Sequence, residues 1–274
     1  MRVQFKPGLI AAATNFMADS DMRRVRWLRP EDLDNDDDGI TPLSLLPRHA
    51  AVGVRRAMPA ADALQLAERV LQASDRLVDD FGGEQQALGR AFYTHLESGA
   101  ASTYFAQQAA SDAVVEAVLP GVQSKTLALL ARLLGGTVRR RHGFCGPGVH
   151  VFPPGEKVAE RGGVFHYDLE GLGRVEREVG VDGGARAVSL VWMLQQGRTR
   201  GGLSLFNTLY RGRNWDMDRV PTAQSTTTRA LPGDVVLFSS YRLHRINGFG
   251  GDDARIAVTC HAVEVDRDVW ECWF

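Results

Sequence analysis

The chain has 274 residues, 44% of them hydrophobic and 24% charged, with 32 basic against 33 acidic side chains. That length is ample for one large core, and a net charge near zero with no basic stripe speaks against a nucleic-acid partner. Three cysteines, Cys145, Cys260 and Cys272, lack the paired spacing of a disulfide framework or a zinc ribbon and read as small buried hydrophobes.

No apolar run reaches membrane-spanning length, so no membrane partner is expected. The short run Leu9-Ile10-Ala11-Ala12-Ala13 lacks the apolar core and cleavage site of a secretory signal. A cytoplasmic protein is the expectation. Residues 1 to about 55 read as irregular structure with short strands. The acidic run from Glu31 to Gly39 offers oxygen ligands for calcium but does not keep the EF-hand order, so a solvated loop is expected there.

Residues 59 to about 135 carry helical periodicity. Ala61, Leu64, Leu66, Ala67, Val70, Leu71, Leu77 and Val78 recur on one face, and Gly82-Gly83 is read as that helix's stop. A second helical stretch is expected from Glu84, through Leu88, Phe92, Leu96 and Phe105, to the break at Pro120-Gly121. A third runs from Ser124 to Leu134 and ends at Gly135-Gly136.

From Thr137 the period changes to two. Strands are expected over 138–144, 149–152, 164–168, 187–194, 203–209, 226–231, 235–238, 244–249 and 255–265, separated by Gly, Pro and Asp turns. Many short strands of this kind make a sandwich or barrel. The expected fold is therefore mainly β with flanking α. A double-stranded β-helix of jelly-roll or cupin type over 137–274 is buttressed by an N-terminal extension and helical support region over 1–136, all in one compact unit.

The chemistry concentrates in Gly162-Gly163-Val164-Phe165-His166-Tyr167-Asp168 and in the later block Gly233-Asp234-Val235-Val236-Leu237-Phe238-Ser239-Ser240-Tyr241-Arg242-Leu243-His244. In an extended segment His166 and Asp168, as residues i and i+2, point to one side. His244 from another strand completes a set of two imidazoles and one carboxylate. Such a set on one face of a metal is the arrangement of non-haem Fe(II) oxygenases. Arg255 opens the next apolar alternation, Arg255-Ile256-Ala257-Val258-Thr259.

With that order of features, residues 137 to 265 resemble the Fe(II)/2-oxoglutarate-dependent dioxygenase superfamily, whose pattern is His-x-Asp, a later His, and an Arg about ten residues beyond. The resemblance implies Fe(II) on His166, Asp168 and His244, and 2-oxoglutarate as cosubstrate with its far carboxylate on Arg255. It further implies O2 as oxidant and decarboxylation to succinate, coupled to hydroxylation of a small-molecule substrate such as an amino acid or biosynthetic intermediate. Halogenases of this superfamily lack the carboxylate, so the presence of Asp168 points to hydroxylation or a related oxidation. Desaturation or ring formation uses the same ligands. From a different class, a cupin-like metal-binding or sensor protein would hold a metal without turnover, and would have no use for Arg255.

A hydroxyl commonly assists such an Arg. Thr259 shares its side of the strand, whereas Ala257 stands where many family members place Ser or Thr. Asn207 is read either as a cosubstrate contact from inside the barrel or as a residue closing a turn. His261, six residues from Arg255, lies on the same face of a regular strand, and reads either as a pocket residue or as a structural histidine, as does His150. For the primary substrate the candidates are Arg141 on the first barrel strand, Trp192, and Arg211 and Trp215 in the long stretch between two strands. Glu170, Arg174 and Arg177 follow Asp168 in a polar segment that reads as a lid. The oligomeric state is not legible.

Overall fold

The computed structural model describes residues 24–33, 41–174, 176–177, 186–213, 215–216 and 219–274. Of the acidic run, residues 34–39 lie outside the described residues. In chain order the first elements are β1 (Val25–Leu28), α1 (Pro42–Leu45), β2 (Ala51–Val54), α2 (Ala60–Gln72), β3 (Val78–Asp80) and β4 (Gln85–Leu88). Four helices follow: α3 (Phe92–Glu97), α4 (Ala101–Ala106), α5 (Gln108–Val118) and α6 (Val122–Leu134). Next come β5 (Thr137–Arg140), β6 (Gly148–Phe152), α7 (Lys157–Arg161), β7 (Ala187–Gln195), β8 (Thr199–Arg200), β9 (Leu203–Leu209) and β10 (Ser225–Thr228). The chain ends in β11 (Val235–Ser239), β12 (Arg242–Ile246), β13 (Phe249–Gly250), β14 (Arg255–Asp266) and β15 (Val269–Trp273).

The large mixed sheet runs β1-β2-β11-β7-β14-β6-β4-β3, with β15 pairing both β14 and β5. A smaller sheet, β10-β9-β12, faces it. Together they form an open jelly roll. The alternation along each strand decides what lies between the sheets and what lies outside. On the outer face of the large sheet, Val149 and Val151, Val188, Leu190, Trp192 and Leu194, and Ile256, Val258 and Cys260 join one cluster. Ala63, Ala67 and Val70 of α2, and Leu129, Leu130 and Leu133 of α6, cover them. Each such side chain contributes about 1.5–3 kcal/mol by leaving water. On the inner face Met193, Val236, Phe238 and Ala257 meet Leu203 and Leu205 of the small sheet.

The first half departs from the helical expectation between residues 73 and 88. Helix α2 ends at Gln72, Val78 opens a strand, and Gly82 and Gly83, at φ 70° and 91°, turn a β hairpin rather than stop a helix. Leu88 is buried from β4, not from a helix. Three or four apolar residues fit either period, and here pairing with β6 wins. The first half therefore supplies strands to the large sheet at both edges as well as its helical cover. All three cysteines are buried and free. Among the described residues no single helix is long and apolar enough to cross a membrane.

Candidate metal centre

The segment after α7 reaches the small sheet through a glycine pair. Gly162 sits at φ 84°, ψ 166°, a region essentially reserved for glycine, and a Cβ there would stand 2.8 Å from the Ile246 carbonyl oxygen. This close approach lets the Gly163 N–H donate to that carbonyl at 2.9 Å. Further on, His166 and His244 exchange backbone hydrogen bonds of 3.1 and 3.0 Å, and the Asp168 N–H donates to the Ser240 carbonyl at 3.0 Å. The expected strand over 164–168 is thus realised as a single bridge pair, His166 with His244, beside β12. Alternation does the rest. Phe165, Tyr167 and Leu169 turn outward into a cluster with Phe206, Tyr241 and Leu243, which leaves His166 and Asp168 facing inward.

One ligand atom from each of His166, Asp168 and His244 lies within 4.8 Å of the others. The His166 Nε2 is 3.5 Å from Asp168 Oδ1, and the His244 Nε2 is 3.3 Å from Asp168 Oδ2. Both rings are tied by the same device: Nδ1 of His166 donates to the Val164 carbonyl at 3.0 Å, and Nδ1 of His244 to the Arg242 carbonyl at 2.9 Å. With Nδ1 committed to a carbonyl, Nε2 is the nitrogen each ring can offer to a metal in exchange for a proton. Phe238 packs edge-on against His244 at 4.7 Å. His244 is 4% exposed and His166 39%, so the cluster opens to solvent on the His166 side.

The carboxylate has its own support. Ser189 Oγ donates to Asp168 Oδ2 at 2.6 Å. Its single proton is then spent, so Ser240 Oγ at 2.9 Å and His261 Nδ1 at 3.1 Å act as donors to it. Burial pushes the Asp168 carboxyl up, but the His244, His261 and His166 rings outweigh it and hold the group well below the usual carboxylate range. Burial likewise pulls the His166 ring down, yet the Asp168 carboxylate beside it wins and raises the ring to about 9. Once a metal takes the place of the proton that the Asp168 carboxylate favours on His166, two imidazole nitrogens and one ionised carboxylate make a donor set that fits Fe(II) and its first-row neighbours.

Arg255 lies on the inner face of β14, buried to 2% exposure, with its guanidinium 5.4 Å from the Phe152 ring centre. Its Nε has no hydrogen-bond partner, and among the described residues no carboxylate pairs with it. An ion pair with Asp253 is not formed, because Arg198 holds that residue at 2.9 Å. Burial lowers the Arg255 guanidinium to about 10, so it keeps its charge at neutral pH. Thr259, on the same inner face, also has a buried hydroxyl without a partner. Two orphaned polar groups inside one barrel are costly unless something polar enters to meet them.

The remaining candidates scatter. His261 comes within 3.7 Å of Asp168 and 5.8 Å of the Trp273 ring. Asn207 is exposed on β9, its backbone N–H bonded to the Gln224 carbonyl. Arg141 is engaged by Glu176 at 3.1 Å, over the Phe144 and Trp273 rings. Arg211 is exposed, and the Trp215 Nε1 donates to the Arg219 carbonyl at 2.7 Å. Trp192 does not reach the pocket: it pairs with Val258 and shares that residue's outer face, packed under the helices. The residues missed are Ser189 and Ser240. Ser189 was legible, as the polar position on the inward parity of an otherwise apolar strand.

No family model and no curated protein sequence matches the chain. Among solved structures, the non-heme alpha ketoglutarate dependent carbocyclase SnoK from nogalamycin biosynthesis is similar at a TM-score of 0.52 and 14% identity, covering 85% of this chain and 86% of that one. The epimerase SnoN, solved in complex with Fe3+, alpha ketoglutarate and nogalamycin RO, aligns at a TM-score of 0.49 and 15% identity, over 84% and 82% of the two chains. The chain thus shares its fold with the SnoK carbocyclase, and a two-histidine, one-carboxylate cluster is set inside it.

Proposed function

We propose that the protein is an Fe(II)- and 2-oxoglutarate-dependent oxygenase that hydroxylates a small-molecule substrate. The observation that carries this reading is Arg255. A buried, charged, unpaired guanidinium in the same barrel as His166, Asp168 and His244 serves no purpose in a passive metal site, whereas it matches the far carboxylate of a dicarboxylic oxo acid.

His166, Asp168 and His244 would hold the metal, which when bound supplies the redox chemistry with O2. Overall, one oxygen atom enters the substrate, the other enters succinate, and CO2 leaves. The protein's part is orientation. Arg255 fixes the distal carboxylate, Ser189 fixes Asp168, and the two backbone carbonyls fix the rings. The open side at His166 gives the substrate its approach.

The test is anaerobic addition of 2-oxoglutarate to the Fe(II)-loaded protein, followed by visible absorption. A weak charge-transfer band that needs both components is expected, absent in His244→Ala and shifted to higher 2-oxoglutarate concentration in Arg255→Ala. Normal iron binding without a band would leave a metal-binding barrel with no turnover. Product mass then separates hydroxylation, which adds an oxygen atom, from the desaturation or ring closure that the same ligands allow.

A further inference from the structure

We propose that His150 is the second hydrogen-bond donor for the distal carboxylate of the oxo acid, occupying the role left vacant by Ala257. The inference rests on the oxo-acid reading of the barrel and adds a residue from a different strand to it. Backbone register places His150 directly opposite Ala257, and Phe152 directly opposite Arg255. By alternation both β6 residues face inward. The Arg255 guanidinium lies 5.4 Å from the Phe152 ring and the His150 ring 6.0 Å from it, so cation and imidazole flank the same phenyl group.

The ring is held with one nitrogen free. The Gln85 Nε2 donates to His150 Nδ1 at 3.0 Å and also to the Tyr93 hydroxyl, while Phe274 packs on the ring at 4.7 Å. Nδ1 as acceptor places the proton of a neutral imidazole on Nε2. Among the described residues no acceptor takes that proton. Burial, with Arg255 and His261 adding to it, keeps the ring neutral down to about pH 3. A purely structural histidine in a core would have both nitrogens satisfied. A carboxylate has two oxygens, and one guanidinium with one N–H beside it satisfies both.

The experiment is calorimetric titration of the Mn(II)-loaded protein with 2-oxoglutarate and, separately, with 2-oxobutanoate, which keeps the oxo acid head but lacks the distal carboxylate. His150→Phe keeps the ring packing and removes the donor. It should weaken 2-oxoglutarate binding about tenfold or more and leave 2-oxobutanoate binding unchanged. His150→Gln, which retains an N–H, should recover most of the loss. Gln85→Leu, which frees the tautomer without touching the ring, should weaken 2-oxoglutarate severalfold. If His150→Phe binds 2-oxoglutarate as the wild type does, or loses both acids equally, the proposal is overturned while the oxo-acid reading stands. Failure of the wild type to bind 2-oxoglutarate at all would sink both together.

Discussion

At the scale of single residues, Ser189 tests whether support of the ligands matters as much as the ligands. Among the described residues its hydroxyl alone donates to Asp168, and it gathers Ser240 and His261 behind it. Ser189→Ala should raise the dissociation constant for Co(II) or Mn(II) by roughly 10–100-fold, as loss of such outer contacts does elsewhere. Trp192→Phe, on the opposite face of the same strand, should leave it unchanged. His150 carries a pH dependence of its own. The unfolded ring takes up a proton near pH 6.5, whereas the folded ring stays neutral to about 3. Between those values the unfolded state binds more protons, so stability falls as the pH falls, by at most about 1.4 kcal/mol per pH unit. Chemical denaturation at a series of acid pH values should show this slope reduced in His150→Phe. The ligands themselves were legible because His-x-Asp, a later histidine and the arginine keep their order in the chain. The roles of His150 and Gln85 were harder, since they depend on which strands become neighbours, and β4 does not read as a strand.

At the scale of elements, the entry to the metal segment depends on Gly162. Gly162→Ala meets both a backbone region closed to side chains and the Ile246 carbonyl at 2.8 Å. The cost should be about 3 kcal/mol, and because the Gly163–Ile246 hydrogen bond must loosen, metal affinity should drop with it. Gly155→Ala is the control. It sits at φ 77° with nothing within 4 Å, so it should cost about 1 kcal/mol and spare the metal site. Thermal unfolding and a metal titration on both variants separate the two effects. Strands β6, β7, β9, β10, β11, β12 and β14 were read to within a few residues from their apolar runs and the turn residues between them, whereas the two-residue pair of β8 and β13 was not. The hairpin of β3 and β4 was not, because Leu77, Val78 and Leu88 fit a helical stripe equally well until the partner strand is known.

At the scale of the molecule, the two halves of the chain share one sheet and one core. Strand β2 pairs with β11, β4 pairs with β6, and helices α2 and α6 close the outer face of the large sheet. A fragment of residues 137–274 would expose that face and leave two strands as open edges. It should be recovered only as aggregate, or without cooperative unfolding by circular dichroism. The expectation of one compact unit and the placement of its boundary near residue 136 are both tested by this fragment. A well-folded fragment would show that the N-terminal strands are additions to a complete barrel.

The paired anchoring of His166 and His244 to the carbonyls of Val164 and Arg242 has a bearing on which ion the protein carries. Rings tied to the backbone leave little room for conformational adjustment to one particular cation. Intrinsic preference among divalent ions then follows the general ligand-field ranking, in which copper, nickel and zinc stand above ferrous iron. The barrel cannot choose iron by tightness alone. If the proposed function holds, copper, nickel and zinc should compete with iron for the cluster, and titration of the metal-free protein should show each of them binding more tightly than Fe(II).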